Sequence, residues 1–111
     1  MTKQALLSSI VDDLGANFQE EQELLGTLLD EVINDALFIS NRDQLVRTNE
    51  DLEPQLDILA SNIRRAVKTI YLQRGAEDVK TQSLSGLSST YDEAIETMKS
   101  SIIRSGKRIV R

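Results

Sequence analysis

Cysteine and histidine are both absent from this chain. Their absence excludes disulfides, thiol nucleophiles and zinc sites built on Cys or His ligands. It also removes the side chain most used for proton transfer near neutral pH. There is no tryptophan, and aromatic residues make up only 4% of the sequence. The core must therefore come from Leu, Ile, Val and Ala, which suits helix packed on helix. No apolar run approaches the roughly 18 residues needed to span a membrane, and Met1-Thr2-Lys3-Gln4 does not begin like a secretory signal. The expectation is one domain within 111 residues, with no membrane association.

Charge is present in both signs but unevenly placed. The net charge is −5. Residues 1–60 carry three bases against thirteen acids, whereas residues 61–111 carry ten bases against five acids. From Lys99 to Arg111 there are five bases and no acid. Such a chain can pair its own two halves, or set its basic end against the acidic face of a neighbour. Two solvated faces that simply differ are the plainer alternative.

Apolar spacing predicts four helices. Leu6, Leu7, Ile10, Val11 and Leu14 recur at helical intervals and mark a first helix over 3–14, with Gly15 as its stop. A second helix over 20–40 opens on Glu20, Glu21 and Glu23, which suit the positive end of a helix dipole. Its wide stripe, from Leu24 to Ile39, requires burial on more than one side. Gly26 lies inside that pattern and marks an expected close approach of another backbone. Residues 41–53 read as a polar loop or frayed turn, and Pro54 as the first turn of a third helix over 54–74. Its apolar face holds Leu56, Leu59, Ile63, Val67, Ile70 and Tyr71, and Gly75 caps it. Thr90 and Glu93 have capping-box spacing and open a fourth helix over 92–105, whose face of Ile95, Met98 and Ile102 is narrow. The fold class is thus all-α, a four-helix bundle-like protomer.

Two segments stand out from the helices. Residues 75–91 are rich in Ser, Thr and Gly and longer than an ordinary connection. They read as a β-hairpin-like excursion, with strands at 79–84 and 87–91 around Ser85-Gly86, or as a flexible loop. The basic tail over 106–111 places Ile109 and Val110 between Arg108 and Arg111. It is either a fraying terminus or a strand that adds to a partner's sheet.

Chemistry finds little support. The acids are accounted for by solvated helix positions, and Asp12-Asp13 are sequence neighbours that do not share a helix face. No Gly-rich phosphate loop is present, and no His stands ready to activate a serine. The expectation is no enzyme, no cofactor and no metal. Sequence-specific DNA reading is also disfavoured, because the chain is acidic with a pI near 4.7 and its bases are not interleaved with stacking aromatics.

The order of elements, with three short motifs, resembles the small head-tail connector (adaptor) proteins of long-tailed bacteriophages and prophages. The motifs are the pair Asn41-Arg42 after the second helix, Tyr71-Leu72-Gln73-Arg74-Gly75-Ala76-Glu77 at the end of the third, and the Ser/Gly-rich run from Ser83 to Tyr91-Asp92. The likeness covers most of residues 3–105; the basic extension Ser105–Arg111 departs from it. The resemblance implies a helical protomer that forms a ring, commonly of twelve copies, beneath the portal protein. Such a ring continues the DNA channel and offers a surface to the next neck or tail-completion protein, with packaged DNA passing through without sequence-specific binding. It places the chain in the virion neck, and in the host cytoplasm during assembly. The candidate interaction residues are Tyr71, Arg74, Gly75, Gly86, Tyr91, Arg108, Ile109 and Val110. The alternatives are a different phage neck or tail-completion protein, and a small helical regulatory adaptor of a bacterial host.

Overall fold

A computed structural model describes residues 1–14, 18–76 and 84–109, and the side chains of all of these except 18–22, 73–76 and 84–90. It contains helices α1 (Lys3–Leu14), α2 (Phe18–Ile39), α3 (Asn49–Ala76) and α4 (Leu84–Arg104), with a 3-10 turn at Asp43–Leu45 between α2 and α3. The fold is all-α, and no strand occurs among the described residues.

α3 is the axis on which the other helices pack. Along α1 and α3, the N-terminal amine reaches Asp57, Ser9 accepts from Arg64, and Asp13 faces Lys68, so these two helices run parallel. α2 returns antiparallel to both, as its short connection to α3 requires, and α4 closes the remaining side of α3. The core is a single aliphatic cluster. Leu6, Ile10, Leu25, Leu29, Leu56, Leu59, Ile63 and Ile102 are its largest fully buried members apart from two valines. Helix nucleation is costly and propensity alone rarely holds a helix in water, so burial of these stripes is the main source of their stability.

The start of α3 differs from the sequence expectation. Residues 49–53 are helical rather than loop, and Pro54 lies inside the helix. The cause is a reciprocal cap at Thr48 and Asp51. The Thr48 Oγ1 accepts the Asp51 N–H at 3.3 Å, while the Asp51 carboxylate accepts the N–H groups of Thr48 at 3.3 Å and Arg47 at 3.1 Å. This cap satisfies donors that a helix start leaves open. Pro54 forfeits one bond to Glu50, but both residues are exposed and water can reach the freed carbonyl.

α4 also starts early. Residues 84–91 are helical, so a strand over 87–91 and a turn at Ser85-Gly86 are not formed, and Thr90 is not a cap. The reason is periodicity. Leu84, Leu87, Tyr91, Ala94, Met98 and Ile102 follow one another at three- and four-residue steps, a helical rather than a two-residue pattern. The rest of the supposed excursion, residues 79–83, lies outside the described residues. Gly26 brings a further correction. Among the described residues, a Cβ placed there would meet nothing within 4 Å, so none of their backbone approaches it.

Candidate functional site

Two helix ends meet at one corner of the molecule and join there. At the end of α2, Asn41 takes a positive φ of 60°. Its N–H bonds the Phe38 carbonyl at 3.2 Å, and the Arg42 N–H reaches back to Leu37 at 2.8 Å. At the end of α4, Gly106 has φ 74°, and the Gly106 and Lys107 N–H groups bond Ile103 and Ile102, both at 3.1 Å. Both are Schellman endings, in which a left-handed residue turns the chain so that the last carbonyls of the helix are satisfied. Glycine serves at 106 because it lacks the Cβ that opposes positive φ; asparagine is the usual substitute and serves at 41.

The chain leaving α4 is then pinned to the chain leaving α2. The Ile109 N–H donates to the Ser40 carbonyl at 2.9 Å, and the Asn41 side-chain amide donates to the Ile109 carbonyl at 2.8 Å. Arg42 donates to the Lys107 carbonyl through Nε at 3.1 Å and Nη2 at 2.7 Å, while Nη1 donates to Gln55 at 2.9 Å. Lys107 completes the tie by donating to Asn62 of α3 at 2.8 Å. Arg42 thus uses its planar fork to hold a backbone carbonyl, a geometry that lysine cannot match. Ile109 is half-buried and docked within its own chain, so through residue 109 the tail is neither a frayed end nor a free strand. Arg108 is exposed beside it, and Val110 lies outside the described residues.

The other candidates fall elsewhere. Tyr71 is half-buried and packs against the core from α3. Arg74 and Gly75 continue α3 as helix rather than capping it, and Gly86 lies within the first turn of α4. Tyr91 joins α4 to α2: its hydroxyl donates a short hydrogen bond to Asp35. Burial, the bond to Asp35, and the negative charges of Asp35, Glu31 and Asp92 push the Tyr91 phenol above its ordinary value near 10. A phenol held neutral in this way serves as a fixed donor rather than a proton-transfer group. Gln55 and Asn62 were not singled out by sequence; Asn41 and Gly106 at helix ends, each followed by a base, were the available signal.

The two unlike halves of the chain neutralise each other only in part. Arg64 and Lys68 of α3 approach Asp13 of α1 at 3.6 and 3.7 Å. Lys3 meets Asp30 at 2.8 Å within the acidic half. Among the described residues, Glu50 and Glu53 at the start of α3, and the bases Arg65, Lys99, Arg104 and Arg108, form no ion pair. No cluster of His, Cys, Asp or Glu among the described residues could hold a metal ion, and no described helix is long and apolar enough to cross a membrane.

Among the clefts on the described surface, two lie between helices near the core. One, of about 190 Å³, lies between α3 and α4 beside Asn62, Ala66, Thr69, Ala94 and Met98. The other, of about 660 Å³, lies between the start of α1, the second half of α2 and the start of α3.

Compared with known proteins, the chain matches no family model, no curated protein and no solved structure.

Proposed function

We propose that this chain is a phage structural protein that forms a ring below the portal, joins head to tail and continues the DNA channel. The observation that carries this reading is the placement of Asn41-Arg42. The pair that closes the second helix in the connector pattern here ends α2 and fastens the segment after α4 onto it. A four-helix protomer with a tied-down C-terminal segment suits a building block that must present the same surfaces in every copy. The unneutralised acidic and basic surfaces support the reading as well, because a ring needs contacts between unlike patches. An acid-rich wall would also repel DNA phosphate and let the duplex slide.

The test is to mix the purified chain with a candidate portal protein from the same genome and inspect the particles by electron microscopy. The expected result is a ring of copies on the portal, commonly twelve, and a genome lacking the gene should give no infectious tailed particles. Filled, tailed and infectious particles without this chain would overturn the reading. A channel lined mainly by Arg64, Arg65 and Lys68 would overturn its acidic-wall element. Binding to a later neck component but not to the portal would favour the tail-completion alternative.

A further inference from the structure

We infer that the larger cleft is the receiving half of a contact between two copies of this chain, and that its occupant is the C-terminal end of α4 from a second copy, centred on Ile103. The choice of a second copy rests on the ring reading; the choice of surfaces rests on charge and exposure.

The cleft has an apolar floor and an acidic rim. Leu37, Val46, Leu52 and Leu56 line it from below. Its charged lining is Lys3, Asp30, Glu50 and Glu53. Lys3 and Asp30 neutralise each other at 2.8 Å, which leaves the two glutamates of α3 without a cationic partner among the described residues. Its volume of about 660 Å³ exceeds what one side chain fills and suits a few side chains from one helix face. No residue of α4 lines it, so the chain's own α4 does not occupy it.

The complementary piece should be an exposed apolar side chain set among unpaired bases. Ile103 meets that description. It is 45% exposed, Lys99 precedes it by one helical turn, and Arg104 and Arg108 follow, all exposed and none in an ion pair among the described residues. The two most exposed apolar groups fit less well. Phe38 is 73% exposed, but its neighbours one turn away on α2 are Asn34 and Asp35, neither of them basic. Leu72 is 55% exposed beside Lys68, whose charge already faces Asp13. An Ile103 knob entering the cleft of the next copy gives a heterologous contact, which closes into a ring or continues as a filament according to its rotation.

The chain has no cysteine, so single thiols report on this contact cleanly. Copies carrying Glu53→Cys are mixed with copies carrying Ile103→Cys and treated with a short thiol–thiol crosslinker. The mixed E53C–I103C dimer should dominate over both same-variant dimers, and over dimers of I103C with Glu23→Cys, an exposed position of α2 away from both surfaces. High salt should suppress the mixed product, because exposed charges are screened. Glu53→Lys alone and Arg104→Glu alone should each weaken association by about tenfold, and mixing E53K copies with R104E copies should restore it. Circular dichroism on each variant separates a lost contact from a lost fold. No preference for the mixed dimer, or charge reversals that fail to rescue each other in folded proteins, overturns the inference. So does crosslinking of E53C to the portal in place of a second copy. If rings form on the portal while the rescue fails, the inference falls and the ring reading stands. If the mixed dimer forms but no portal ring does, the contact stands and the ring reading falls.

Discussion

On its α1 and α2 side, helix α3 meets leucine, isoleucine and valine; on its α4 side it meets Met98 and Ile102 together with alanine, threonine and serine beside a cleft. Among the described residues α1, α2 and α3 supply four, seven and six members of the buried apolar cluster, and α4 supplies three, namely Ala94, Met98 and Ile102. The first three helices are thus held by apolar area. The described part of the fourth, from Tyr91 onward, adds polar ties at several points: Tyr91 to Asp35, Asn62 to Ser101, and the Arg42 and Ile109 bonds just beyond its end. Apolar burial is non-directional and tolerates sliding, whereas hydrogen bonds fix position. The comparison teaches that directional bonds fix where the described part of α4 sits, which would suit the contact proposed for its outer face.

The largest effect should come from the apolar side. Ile63 is fully buried, and Ile63→Ala should lower the unfolding free energy by about 2–5 kcal/mol, measured by urea denaturation. Met98→Ala on α4 should cost less, since Met98 borders the cleft and its site has less packing to lose. Equal losses would break the contrast between the two regions. Next comes Arg42→Ala, which removes three charge-assisted bonds from a half-exposed site and should cost about 1.5–3 kcal/mol at most. Its sharper readout is hydrogen exchange. The amides of Lys107 and Ile109 should exchange faster while those around Leu29 and Ile63 keep their relative protection. A uniform change across all amides would mean that α4 is not held separately.

Gly26→Ala should act in the opposite direction and by less. The position is helical and a Cβ there meets nothing within 4 Å. The change should raise stability by up to about 1 kcal/mol, seen as a higher denaturation midpoint. Smallest at neutral pH is the effect of Tyr91. Its folded value is raised, so above the unfolded value of about 10 the folded chain still holds a proton that the unfolded chain has released. The stability from this group is therefore complete below pH about 10 and declines as pH rises beyond it. Tyr91→Phe should flatten that alkaline decline relative to the parent chain, and an unchanged slope would deny the Tyr91–Asp35 tie its role in seating α4.

Several of these features were legible in the residues themselves. α1 and the long α2 follow from apolar residues at three- and four-residue steps, and the narrow face of α4 follows from how few such residues it has. The starts of α3 and α4 were harder to read. Thr48 and Asp51 sit in a polar run that resembles a loop until their side chains are seen to close on each other's N–H groups. Ser85, Gly86, Ser88, Ser89 and Thr90 have weak helix propensity, so the few apolar positions among them decide the outcome. The resemblance motifs pointed to Asn41-Arg42 as a helix end, but their grip on Lys107 and Ile109 spans more than sixty positions of sequence, and no local pattern signals it.

Sequence alone determined that this protein is helical, aliphatic in its core, free of thiol and imidazole chemistry, and divided into an acidic and a basic half, because composition and periodicity act residue by residue. Tertiary structure decided which charges remain unneutralised, where the chain after α4 is anchored, and that Glu50 and Glu53 border an apolar cleft while Ile103 stands out among bases. Those outcomes depend on how four helices pack around one another, and packing brings together residues that the linear order keeps apart.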